Sequence, residues 1–212
     1  MSAGPRPERL RAEGLRVEGL RVEGLQGEHA GPFTLAVPPG GCLAVTGPSG
    51  AGKSLLLRMV ADLVPNRGEA WLDGAARSAM AAPAWRRRVA YGAAEPGWWR
   101  ERVGEHFAVP PVAAAERLGL PADVFARRVA ECSTGERARL ALLRLLAPGP
   151  AVLLLDEPTG ALDGEATLAA EALIADALRA GAGAILVTHS PEQAGRLGTA
   201  RAVVRAGRLE PA

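Results

Sequence analysis

The sequence predicts an α/β domain with a mainly parallel sheet, an antiparallel β edge and a small helical subdomain. Three observations carry that prediction. The apolar runs at Cys42–Thr46 (CLAVT), residues 151–155 (AVLLL) and residues 184–188 (AILVT) are continuous rather than alternating, as strands buried on both faces must be. Stretches of helical character separate them, in the order expected of strands joined by crossover helices. Residues 68–74 (GEAWLDG) and 202–209 read as hairpin material for an antiparallel edge.

In chain order, the first element lies in a tandem pentapeptide repeat, RAEGL-RVEGL-RVEGL, spanning residues 11–25. Within one copy Leu20, Val22 and Gly24 share a strand face, with Arg21 and Glu23 on the other. An odd period swaps the faces from copy to copy, so one copy is expected to form the first strand while the others turn at their glycines or fray. Residues 1–9 are expected to be a flexible tail and 10–212 a single domain. After the strand at Cys42–Thr46 comes a helical stretch over residues 55–63. Residues 83–130 hold Trp85, Tyr91, Trp98, Trp99 and Phe107 among arginines and prolines and read as a helical insertion. A helix over Thr134–Leu146, the strand at 151–155, an alanine-rich helix over 163–180 and the strand at 184–188 complete the alternation. The Arg86, Arg87, Arg88 run reads as a solvated helix face.

Composition narrows the function. The chain has 212 residues, 48% of them hydrophobic, enough for a substantial core, and 25 basic residues offset by 23 acids. The charges interleave instead of forming one basic face, which disfavours nucleic acid as a partner. No apolar run reaches the roughly 18 residues that cross a bilayer, and the first nine residues are too polar for a signal peptide, so a cytoplasmic setting is expected. Cys42 and Cys132 stand far apart without further ligands at metal spacing, and read as buried small apolar residues. Among the basic residues only Lys53 is a lysine. A lone lysine in a chain so biased to arginine needs a reason.

The reason is the run Gly47, Pro48, Ser49, Gly50, Ala51, Gly52, Lys53, Ser54, which fits G-x-x-x-x-G-K-[ST] between a strand and a helix. Such glycines let successive backbone N–H groups wrap a phosphate at the positive end of the following helix. Lys53 reaches the β- and γ-phosphates as a compact point charge, a task that suits arginine's planar fork poorly. Ser54 offers a hydroxyl to Mg2+, and Leu55 completes the nucleotide-binding segment. The strand at 151–155 ends in Asp156, a candidate magnesium carboxylate, and Glu157, a candidate general base for water.

Cys132, Ser133, Thr134, Gly135, Glu136 and Arg137 precede a helix and then the acidic strand. With this third element the sequence resembles the ATP-binding cassette (ABC) ATPases, whose signature reads L-S-G-G-Q. The likeness runs from about residue 15 to 209, adding Gly160, Ala161, Leu162, Asp163 as the family's S-A-L-D loop and Thr188, His189, Ser190 around its switch histidine. It implies a P-loop NTPase of the ABC ATPase type, with a helical subdomain at about residues 96–147. It also implies ATP and Mg2+ as ligands, and a head-to-tail dimer with a second copy of the chain. Ser133, Gly135 and Glu136 would then meet the ATP held by the partner's phosphate loop, His189 would hold the γ-phosphate and orient water, and Asp163 would link the two sites. A separate membrane permease is implied too, placing the chain on the inner face of the cell membrane.

Departures from the pattern are specific. Aligning Val89, Ala90 and Tyr91 with the strand before the family's glutamine loop puts Ala94 in the glutamine's place, so Glu95 becomes the candidate for its metal role. Thr134 replaces the first signature glycine. The adenine-stacking aromatic has no clear counterpart, His29 being the one candidate. Trp98 and Trp99, beside Pro96 and Gly97, read either as interface anchors or as packing for the arm. The text around Trp85–Tyr91 and EPGWW loosely resembles small iron-export ABC ATPases. Two rivals are a regulatory nucleotide-binding module with weak turnover and a soluble ABC ATPase acting on ribosomes or DNA.

Overall fold

The computed structural model describes residues 19–211; the expected tail, the first copy of the repeat and all of the second but Gly19 and Leu20 lie outside the described residues. Strand β1 (Leu20–Gln26) holds the third copy and pairs antiparallel with β2 (Phe33–Val37) on one side and β4 (Arg67–Leu72) on the other. The short β5 (Ala75–Ala76) follows β4 in a hairpin, giving the order β2-β1-β4-β5, so residues 68–74 lie inside this sheet and not at its edge. The repeat does not keep a simple alternation of faces along β1. Leu20, Val22 and Leu25 are all fully buried. An odd spacing from Leu20 to Leu25 is reconciled by a bulge: between Val22 and Leu25 the strand carries one residue more than β2. Gly24, at φ 60°, is the residue that the bulge accommodates.

The second sheet has the order β10-β9-β3-β8-β7-β6. Its parallel members are β3 (Cys42–Thr46), β6 (Val89–Gly92), β7 (Val152–Asp156), β8 (Gly183–Val187) and β9 (Ala200–Arg205), with β10 (Arg208–Pro211) antiparallel at one edge. Alternation along these strands feeds two cores. Val152 and Leu154 of β7, with Ile185 and Val187 of β8, join the antiparallel sheet, Trp85 and α1 (Lys53–Val60) in one cluster. Leu153, Leu155, Ala184 and Leu186 face a second cluster formed with α4 (Thr134–Leu146), α5 (Gly164–Arg179) and the arm.

Residues 83–130 depart from the helical insertion expected of them. Helix α2 (Ala82–Arg88) and β6 belong to the sheet domain, with Trp85 fully buried and its Nε1 donating to Val60 O at 2.8 Å. Beyond β6 the chain makes 3-10 turns at Val103–His106, Val124–Ala126 and Val129–Glu131, and one short helix, α3 (Val112–Arg117). Pro96, Pro110, Pro111 and Pro121 break this segment repeatedly, each removing a backbone donor. Of the arginine run only Arg87 is exposed; Arg86 donates to Asp62 O and Arg88 pairs with Asp73 at 2.7 Å. Cys42 and Cys132 are buried free thiols, and burial pushes the Cys42 thiol up to about 12. A last short helix, α6 (Pro191–Leu197), leads into β9.

Candidate functional site

The carboxyl ends of β3, β8 and β7, adjacent in the sheet, carry the sequence-predicted residues to one edge. Gly47 leaves β3 at φ 137°, and a Cβ there would lie 2.2 Å from Val204 O, so no larger residue starts this loop without moving β9. Gly52, in the left-handed region, immediately precedes α1. The Lys53 side chain folds back over the loop and donates to Gly47 O at 2.8 Å and Pro48 O at 2.9 Å. That ammonium is buried among oxygens of the loop it would share with a phosphate.

Ser54 Oγ donates to Asp156 Oδ1 at 3.0 Å. The second oxygen, Oδ2, accepts from Tyr91 Oη at 3.0 Å, and Arg58 Nε lies 3.4 Å from the same phenol oxygen. Burial and the neighbouring Asp156 push the Tyr91 phenol up, while Arg58 pulls it down. The phenol therefore stays a donor. Tyr91 was legible only as part of the β6 strand; its role follows from β6 lying beside β7, with Tyr91 opposite Leu154, two residues before Asp156. Glu95, by contrast, is exposed and in no hydrogen bond or ion pair with Ser54 or Asp156 among the described residues. Ser54 and Asp156 supply hard oxygen donors at one point, a donor set that fits Mg2+ completed by water and phosphate oxygens.

Glu157 is one of four non-glycine residues at positive φ among the described residues, at 49°, with its N–H held by Val187 O at 3.0 Å and its carbonyl closing a turn on Gly160 N–H. This unusual backbone sets its carboxylate 3.1 Å from His189 Nε2, one residue beyond Thr188, where β8 has ended. Both side chains stay partly exposed and reachable by solvent.

Ser133 caps α4: its Oγ accepts from Glu136 N–H at 3.1 Å and its own N–H donates to Glu136 Oε2 at 2.7 Å. Those bonds hold the Glu136 carboxyl below its ordinary value. Thr134 occupies the first helical position, with Gly135 next, where a Cβ would meet nothing closer than 3.6 Å. Asp163 caps α5 through Ala166 N–H at 2.8 Å. Ser133, Gly135, Glu136 and Asp163 thus stand at helix starts and form no bonds with the phosphate loop within this chain. His29 is 80% exposed in the loop before β2. Trp98 is half-buried against the second core, and Trp99 is 68% exposed.

A strand-loop-helix phosphate cradle beside a strand-end carboxylate defines a P-loop nucleotide-binding domain. Sequence comparison is narrower: the profile described as ABC transporter matches residues 31–160, and the chain belongs to that family. It is 39% identical to the Fe(3+) ions import ATP-binding protein FbpC 2 of Rhodococcus jostii, over 82% of this chain and 55% of that protein. It is 38% identical to the probable iron export ATP-binding protein FetA of Escherichia coli, over 56% of this chain and 59% of that one. The chain thus spans a little over half the length of these relatives. A solved ATP binding subunit of an ABC transporter shares the fold at TM-score 0.81 and 23% identity, over 91% of this chain and 89% of that one.

Proposed function

We propose that the chain is the ATP-binding and ATP-hydrolysing subunit of an ABC transporter, driving transport through a separate integral membrane permease. The observation that carries this reading is the convergence of Lys53, the Ser54–Asp156 pair and the Glu157–His189 pair on three adjacent strand ends. Family membership supports it.

In this reading Lys53 exchanges its two carbonyl partners for β- and γ-phosphate oxygens of ATP, while N–H groups of the glycine loop bind the same oxygens. Ser54 and Asp156 would hold Mg2+, which when bound would supply positive charge against the transferred phosphoryl group. Glu157 takes the proton of the attacking water, and His189, already within hydrogen-bond reach, orients that water against the γ-phosphate. ADP and phosphate are the products. Ser133 and Gly135 stand at the amino end of α4, free to present that end to the γ-phosphate on a second copy, with Asp163 joining the two sites. Each site is then built from both copies. Hydrolysis removes the charge that closes the dimer, and the permease keeps the chain at the inner face of the membrane. Among the described residues no helix is long and apolar enough to cross a membrane. The named relatives include both iron import and iron export proteins, so the cargo is assigned to the permease and not to this chain.

The test is Glu157→Gln in purified protein with Mg-ATP. Turnover should fall at least about a hundredfold, as expected for loss of a general base, while ATP-dependent dimerisation persists. No turnover by the parent protein even with its permease would overturn the engine in favour of a regulatory module.

A further inference from the structure

Glu157 and His189 face each other at 3.1 Å, and among the described residues neither side chain makes another hydrogen bond. Their separation is therefore set by the two stretches of backbone that carry them. Glu157 opens a turn, its carbonyl accepting from Gly160 N–H at 3.1 Å, and Thr159 lies within that turn. His189 stands between two fixed neighbours. Thr188 is buried and its Oγ1 accepts from Ser190 N–H at 3.0 Å, while Ser190 caps α6 by accepting from Gln193 N–H at 3.2 Å.

One buried side chain joins the two stretches. Gln193 of α6 is 1% exposed, and its Nε2 donates to Thr159 Oγ1 at 2.8 Å and to Glu171 Oε1 of α5 at 3.2 Å. Among the described residues the Thr159 bond is the one side-chain hydrogen bond between the 157–163 segment and α6. Glu171, 4% exposed, is gripped from the other side by Arg196, whose Nε donates to Oε2 and whose Nη2 donates to Oε1 at 2.8 Å. A buried carboxylate demands N–H donors and repels a carbonyl oxygen, so Glu171 turns the nitrogen of the Gln193 amide toward itself. The second N–H of that nitrogen then points at Thr159, and Gln193 Oε1 is left buried without a partner. The reverse orientation would give Oε1 the Thr159 hydroxyl as a donor but would set it against the carboxylate. The unmet oxygen shows which demand wins.

We infer that Gln193, oriented by Glu171, is a positioning residue for hydrolysis: through Thr159 it locks the turn that bears Glu157 to the helix that follows His189. The inference rests on the reading above of Glu157 as base and His189 as the group that orients water. Glu157 sits at φ 49°, a conformation its own side chain disfavours, so the turn needs an outside hold to keep it there. The Thr159 bond supplies that hold. A base displaced from its place no longer meets the proton of the attacking water in line, although nucleotide binding at the phosphate loop is untouched.

Thr159→Val keeps the shape of its side chain and removes the acceptor; Gln193→Met keeps the length and removes the donor. In Mg-ATP turnover by the full chain each should lower kcat about tenfold and leave the KM for ATP within about twofold. Thr159→Ser, which keeps the hydroxyl, should stay within about twofold of the parent in both. The decisive measurement places Thr159→Val on top of Glu157→Gln. With no base left to position, it should take nothing further from the residual single-turnover rate. A second loss of about tenfold there would assign the network to general support of the fold and overturn the inference, as would an unchanged kcat in Thr159→Val alone. Gln193→Glu, which buries a second carboxylate against Glu171, should lose activity, and adding Glu171→Gln should recover it. Failure to recover would overturn the orienting role of Glu171. Should Gln193→Met not fold, the two Thr159 variants decide. Full turnover by Glu157→Gln is a different failure: it would remove the base itself and leave Gln193 nothing to position.

Discussion

Single residues carry two kinds of information in this chain. Lys53 stood out from composition as a lysine surviving among arginines, and the structure folds its side chain back onto the loop carbonyls of Gly47 and Pro48. Tyr91 did not, since nothing in VAYG distinguishes a strand tyrosine from one that holds a carboxylate. Its bond to Asp156 is a tertiary fact of β6 lying beside β7. Tyr91 and Ser54, each bonded to one oxygen, together fix the orientation of the Asp156 carboxylate. Tyr91→Phe keeps the ring and deletes the bond. We expect the Mg2+ concentration for half-maximal turnover to rise about tenfold with the KM for ATP little changed, and Mn2+ binding followed by paramagnetic resonance to weaken in parallel. Unaltered Mn2+ affinity would assign the phenol to packing.

Elements were read well where the chain alternates cleanly and poorly where proline interrupts it. Helix α4 begins and ends where its sequence placed it, because Ser133 and Glu136 form a capping box that local sequence alone specifies. The arm was over-read as helix, since alanine and arginine suggest helix while Pro96, Pro110, Pro111 and Pro121 deny it room. The bulge in β1 was invisible, because a bulge depends on what both neighbouring strands need. At this scale Glu136 titrates. The Ser133 N–H bond holds its carboxyl below the ordinary value, so its contribution is present above the usual carboxylate range and is lost as pH falls through the lowered value. Glu136→Gln retains an acceptor for the box without the charge. Its melting temperature should therefore drop less than the parent's between neutral pH and about pH 3, measured by circular dichroism.

Across the whole molecule, one parallel sheet serves two cores, with neighbouring residues of β7 turned to opposite sides. Leu153 faces the arm and α5, whereas Leu154 faces α1 and the antiparallel sheet. Because both clusters hang on the same strands, neither side has a complete core without the other. Leu153→Ala and Leu154→Ala should each cost about 2–5 kcal/mol, and each should shift one shared unfolding transition. Two resolved transitions by calorimetry, each moved by only one variant, would show that the sides unfold independently.

The bulge at Gly24 has a genetic consequence. Strand β1 begins at Leu20, the last residue of one repeat copy, and Gly19 of that same copy is tied by its N–H to Asp73. Among the described residues the sheet takes from the repeat one copy and the Gly-Leu before it, both supplied unchanged after a copy is gained or lost upstream. A slipping polymerase can lengthen or shorten this stretch of gene in five-codon steps and still deliver the same residues to β1. Of the repeated text, the last copy and the Gly-Leu before it are what the fold holds in place.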